Sequence, residues 1–166
     1  MSIPPPATIA PEEWREALEA QGGDPVAAAH ALIERGVLTP GGWAAERARQ
    51  LGWPHELQPD PARLDPPVAG RLGFAQARRM GALPVREEEG RILVWLRPDV
   101  TWDTLLELQA EFGADFRAVV IPDEPFNRAL QRAFERSGAA ADAVEDMGEA
   151  VDLEAASAEL PESADL

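Results

Sequence analysis

The stretch "GALPVREEEGRILVWLRPD", residues 81–99, followed by "FRAVVIP", residues 116–122, constrains the fold of this chain more than any other. Two short apolar runs, "ALPV" and "RILVWL", flank "REEEG", and a glycine closing so short a connection can take the positive φ that a hairpin loop requires. The first two strands are therefore predicted to be antiparallel. Between the second and third strands, Thr101 is suited to cap a helix whose buried side is predicted as Trp102, Leu105, Leu108 and Phe112, ending at Gly113. A strand, helix, strand connection makes the second and third strands parallel. A last helix is predicted from an Asp123 cap, with Phe126, Leu130, Ala133 and Phe134 on its apolar side and Gly138 at its end. The expected lobe is thus ββαβα with a three-stranded mixed sheet. In the middle strand, Ile92, Val94 and Leu96 alternate with Leu93 and Trp95, so both of its faces are apolar, as in a strand covered on each side.

Ahead of this lobe, proline and glycine mark out three short helices. Pro11 opens the first, Glu12 and Glu13 sit at its positive end, Trp14 and Leu18 fall four apart, and Gly22-Gly23 stops it. Asp24-Pro25 is a cap followed by a first-turn proline, with Val26, Ala29 and Ile33 on one side and Arg35-Gly36 at the end. Thr39-Pro40 repeats that start, and Trp43, Ala44, Ala48 and Leu51 form a third stripe closing at Gly52. Three such helices can share one small core. Residues 53–67, "WPHELQPDPARLDPP", hold five prolines and no helical stripe, and read as a domain boundary or a well-packed extended link. Asp65 with Pro66-Pro67 is predicted to cap a short helix, and Phe74 to Met80 to form a turn of another. The fold class is α+β: a helical subdomain over 1–56, an α/β subdomain over 57–138, and an acidic tail over 139–166, disordered or partly helical.

A chain of 166 residues accommodates one compact domain or two small ones. Its 15 basic side chains are all arginine, so no P-loop lysine, Schiff-base lysine or lysine base exists. Cysteine is absent, which removes disulfides, thiolate metal sites and a cysteine nucleophile. No basic segment followed by an apolar one opens the chain, and no window approaches the roughly 20 apolar residues that span a bilayer, so a cytoplasmic protein without membrane insertion is expected. The net charge of −15 opposes a nucleic-acid surface. Nine of the 30 acids, and no base, lie in residues 139–166, which read as a mobile tether.

The remaining candidates for chemistry have simple structural readings. "QGGD" and "PGGW" follow no strand and read as helix punctuation. His30 and His55, the only histidines, have no metal-ligand partner at helical spacing. Glu87, Glu88 and Glu89 fall at a hairpin tip, where solvent reaches them, and Ser2, Ser137, Ser157 and Ser163 lie where no base is held against them. The chain therefore reads as a non-enzyme with no metal and no cofactor of its own. Five tryptophans without a tyrosine are read mainly as core; Trp14 or Trp43, with Leu18, is the alternative anchor of a partner-binding face, with Arg15, Arg47 and Arg49 at its rim.

The words "ARRMGALPVREEEGRILVWLRPD" and "LLELQAEFGADFRAVVIPDEPFNRALQRAF" resemble the N-terminal domain of the type II secretion and type IV pilus assembly ATPases, the GspE and PilB group. "LIERGVLTPGGWAAERARQLGWP" is similar to the family's first helical subdomain, and "VEDMGEAVDLEAASAELPESADL" to the acidic segment that leads, in the secretion branch, to the ATPase core. The resemblance implies an adaptor whose helical lobe docks a cytoplasmic motor on the cytoplasmic part of an inner-membrane platform protein of the GspL type, peripheral at that membrane. It also implies that the ATPase core, with its ATP and Mg, lies beyond this chain as its intramolecular partner. Two alternatives stay open: the equivalent domain of a pilus-assembly motor, and a sensor of cyclic di-GMP of the MshEN type. Such sensors use a motif starting Arg-Leu-Gly. Counting back from Gly36, this sequence has Ala27-Ala28-Ala29 there, Gln50 is a possible distal match, and Arg71-Leu72-Gly73 spells the triplet in another context.

Overall fold

The structure is a computed structural model that describes residues 3–135. Residues Met1–Leu130 form one compact unit and Gln131–Leu166 a second. The expected acidic tail, 139–166, lies outside the described residues.

In the first unit, helices α1 (Pro11–Ala20), α2 (Pro25–Glu34) and α3 (Pro40–Leu51) start where the caps predict. The Asp24 carboxylate accepts from the backbone N–H of Val26 and Ala27, and Thr39 Oγ1 accepts from that of Gly42 at 2.9 Å. Ile9, Trp14, Ala17, Ala28, Ala29, Leu32, Leu38 and Trp43 make one buried cluster, with Leu18 and Ile33 partly buried against it. The short N-terminal segment is tied to α3, since Gln50 Nε2 donates to the Pro4 carbonyl at 3.1 Å.

The proline-rich link is packed. Val120 donates to the Pro54 carbonyl and accepts from Glu56, so His55 makes a parallel bridge with Val120 on the sheet edge. A 3-10 turn (Pro61–Arg63) and two short helices, α4 (Pro66–Ala69) and α5 (Phe74–Met80), follow. Asp65 does not cap α4 with its side chain; its backbone N–H instead donates to the Val85 carbonyl at 2.8 Å.

The sheet has the order β1 (Ala82–Glu88), β2 (Arg91–Leu96), β3 (Arg117–Val120), with β1 antiparallel and β3 parallel to β2. The hairpin is tighter than "REEEG" suggested: Glu88 pairs with Arg91, and the loop is Glu89-Gly90 alone, with φ of 53° and 77°. Two positive φ values make the mirror-image turn that matches strand twist, and glycine is favoured at such a position. Pro84 sits on the edge strand, where its missing N–H costs no ladder bond, and the register shifts at Val85, whose freed carbonyl is the one that takes Asp65. Both faces of β2 are buried, as its alternation required.

Helix α6 (Trp102–Phe112) is capped by Thr101, but its buried side is Thr104, Leu105 and Leu108, while Trp102 and Leu106 are 58% and 53% exposed. At about 100° per residue, Leu105 and Leu108 define a stripe from which Trp102 and Leu106 diverge by roughly 60° to 160°, so spacing from Trp102 to Leu105 alone misassigned it. Helix α7 begins at residue 123 and is followed to Leu130 in this unit, burying Phe126 and Ala129; residues 131–135 of the second unit are helical. Asp123 lies in the first turn of α7, and its side chain engages His30.

Arg47 joins the helices to the sheet. It is 5% exposed, and its guanidinium donates to the carbonyls of Pro98 (2.8 Å) and Val100 (3.0 Å) and to Gln50 Oε1 (2.8 Å), pinning the segment between β2 and α6. Burial lowers its pKa, partly offset by the Asp99 carboxylate. Arg47→Ala leaves two interior carbonyls without donors and is expected to cost about 3 kcal/mol in chemical denaturation, with Arg47→Lys recovering only part because an ammonium cannot reproduce the fork.

On the same helix, Glu46 accepts from Arg49 Nε at 3.1 Å. The Arg49 hydrogen bond holds its carboxyl below the usual carboxylate range; burial opposes this and the Ala7 backbone N–H reinforces it. A depressed folded-state pKa contributes stability above the unfolded value and loses it as pH falls through the folded value. Glu46→Gln is therefore expected to lower the unfolding midpoint at pH 7, with the gap from the parent chain closing below about pH 4 and constant between about pH 6 and 8.

Candidate functional site

The C-terminal half of α2, the start of α3, the link and the start of α7 enclose a groove of about 680 Å³, within the range of roughly 300–1,000 Å³ common for ligand sites. His30, Ile33 and Glu34 reach it together because residues three and four apart share a helix face. Pro40, Pro98, Pro122 and Pro125 supply rigid walls, and Leu57, half exposed, closes one side. Leu57 approaches α3 at Gly41, where a Cβ would stand 3.1 Å from Leu57 Cδ2.

The polar groups of the groove are incompletely matched. His30 Nε2 lies 3.2 Å from Asp123 Oδ2, bringing together residues 93 apart in sequence, while the buried Asp123 Oδ1 has no partner. Trp43 also lines the groove; it is 1% exposed and its Nε1 has no partner. Trp95 Nε1 is likewise unpartnered, but Trp95 does not line the groove. Arg128 pairs with Glu124 at 3.2 Å, whereas Glu34 has no ion-pair partner among the described residues. The groove therefore offers an indole donor, a carboxylate oxygen and surplus negative charge on an apolar floor.

The six residues expected to form a docking face are placed differently. Trp14 and Trp43 stack at 6.4 Å inside the three-helix core, with Leu18 partly buried beside them. Arg47 faces the interior segment at 98–100. Arg15 and Arg49 remain at the surface, Arg49 held by Glu46. The structure brings the two tryptophans and Leu18 together as packing, not as one exposed patch with the arginines. The His30–Asp123 pair carried no local sequence signal, because the partners come from helices on opposite ends of the unit's sequence. Among the described residues, no three metal-ligating side chains converge, and no helix is long and apolar enough to cross a membrane.

Residues 71–134 match the family described as GSPII protein E, N1-E domain. A curated relative, Type II secretion system protein E of Aeromonas hydrophila, is 34% identical over 102 residues, covering 61% of this chain and 20% of that protein. The chain thus spans about a fifth of that relative's length. Among solved structures, MshE with cdg superposes with a TM-score of 0.61 at 20% identity, covering 76% of this chain and 91% of that one. The N-terminal domain of XpsE gives 0.55 at 17% identity, covering 75% and 85%. These two share the fold. The matched segment contains the whole sheet, α6 and the α7 side of the groove, and with it the resemblance read from "GALPVREEEGRILVWLRPD" is established: the chain belongs, through residues 71–134, to the N1-E domain family of GSPII protein E.

Proposed function

We propose that this chain is a non-catalytic adaptor of a type II secretion ATPase, docking a cytoplasmic motor on the cytoplasmic domain of a GspL-type inner-membrane platform protein. The observation that carries this reading is the family match over the sheet-bearing residues 71–134, supported by 34% identity to Type II secretion system protein E. A docking role requires an exposed anchor. Trp102 and Leu106 lie one turn apart on α6 and are both more than half exposed, and a tryptophan in such a setting is the residue type most enriched at interaction hot spots. Arg15 and Arg49, on the helical part, are rim charges in this reading. The ATPase core, its nucleotide and its metal belong to the rest of the polypeptide, and the complex places the chain at the cytoplasmic side of the inner membrane.

Calorimetry of the 166-residue chain with the cytoplasmic domain of a GspL-type protein tests the proposal, and absence of binding overturns it. In the complex, Trp102→Ala is expected to weaken binding at least about tenfold while leaving the unfolding free energy within about 0.5 kcal/mol, whereas Arg15→Glu and Arg49→Glu change affinity less than about fivefold.

A second reading follows from the fold shared with MshE, whose structure is with cdg. It makes this chain a cyclic di-GMP sensor. Against it, the positions that correspond to the Arg-Leu-Gly triplet are Ala27, Ala28 and Ala29, the last two fully buried, so no guanidinium is available there to stack on a guanine. Titration with cyclic di-GMP is expected to give no heat of binding.

A further inference from the structure

We propose that the groove between α2, α3, the link and the start of α7 is a binding site for an extended peptide of a partner protein that carries an arginine or lysine beside aliphatic residues. The chemistry of the groove selects that occupant. Trp43 Nε1 is a buried donor without a partner, which a main-chain carbonyl would satisfy. Asp123 Oδ1 is a buried acceptor without a partner, which a guanidinium or ammonium N–H would satisfy. Unpaired buried polar atoms are uncommon in native proteins, so two on the wall of one groove point to a ligand that completes them.

Charge decides the sign of the partner. Glu34, Asp123 and Glu124 face the groove, Arg128 is engaged by Glu124, and His30 is engaged by Asp123. Among the described residues that line the groove, no unpaired cation is left to receive a phosphate or a carboxylate, while a cationic side chain finds Glu34 without an ion-pair partner and Asp123 with one oxygen open. Ile33, Leu57 and the proline rings provide apolar walls for the neighbouring side chains. A bare cation would leave that apolar surface and the indole N–H unused, and a nucleotide would bring phosphate against the carboxylates; a basic, aliphatic peptide uses all three features. The inference rests on the groove alone and holds whatever protein docks on α6.

The test follows the Trp43 indole N–H resonance of the 166-residue chain by NMR. The probes are two pools of acetylated, amidated hexapeptides, one with arginine and one with glutamate at a fixed central position, the other positions drawn from Leu, Val, Ala and Pro. The arginine pool is expected to shift the Trp43 resonance saturably, the glutamate pool to leave it in place, and added salt to weaken the first. Asp123→Asn should reduce the affinity at least fivefold, and Glu34→Gln at least twofold, with all five indole resonances still dispersed as in the parent chain. Equal response to both pools, an equal shift from free arginine amide, or no Trp43 shift with the arginine pool would overturn the proposal. Since neither probe involves the platform protein, failure here is separable from failure of the docking reading.

Discussion

The unit rests on one buried cation. The guanidinium of Arg47 spans from α3 to the carbonyls of Pro98 and Val100, which lie on the connection between β2 and α6. Withdrawing such a group from water costs several kcal/mol unless its donors are matched, and here three are. Once matched, the same cost becomes a source of specificity, because any displacement of α3 along the sheet leaves both the cation and two carbonyls unsatisfied. The contact of Ala44 and Ala48 with Val120 depends on that registration, since two methyl groups and a valine have little shape to hold a helix in place by themselves. A chain without lysine is well suited to this joint: the planar fork can serve two carbonyls and an amide at once, which a point-charged ammonium cannot do with the same geometry.

How the fold could be read from the sequence follows from how local each signal is. Asp24, Thr39 and Thr101 cap helices by bonding backbone groups two or three residues away, so they were legible. The hairpin and the parallel pair were legible because connection length and element order restrict strand direction. What was not legible depends on contacts far apart in sequence. Trp102 looks buried by its spacing to Leu105, and only the sheet on which α6 packs decides which side of the helix is inward. Asp123 reads as a cap from the residues that follow it; its engagement with His30 across 93 positions turns it into part of a groove wall. Arg47 reads as a surface charge at the rim of a tryptophan face, because nothing near it in sequence announces two carbonyls about fifty residues on.

The candidate site shows the same division. Its walls are largely helix-start prolines, each explicable by local φ preferences: Pro40 opens α3, while Pro122 precedes α7 and Pro125 sits in its first turns. Their convergence on one groove is a property of topology. The link between the helices and the sheet, which composition alone left open as a boundary or a packed segment, contributes Leu57 and Gln58 to that groove and bonds to β3 a few residues earlier.

Trp43 gives the reason that core and groove have to be considered together. It lies against Trp14 in the three-helix cluster, yet it also lines the groove and keeps its Nε1 unpartnered there. An apolar side chain of similar size would fill the core without leaving a donor unsatisfied, so on stability grounds alone the indole is a poor choice. A tryptophan at this position makes physical sense if its N–H acquires an acceptor from outside the unit, and the arrangement then has a further consequence. Occupying the groove would restrain the ring that packs the helical core, and Arg47, one turn along the same helix, would carry that restraint to the segment that leads into α6 and its exposed Trp102. Coupling of this kind needs no moving part beyond α3, because the buried fork leaves that helix only one well-satisfied position against the sheet.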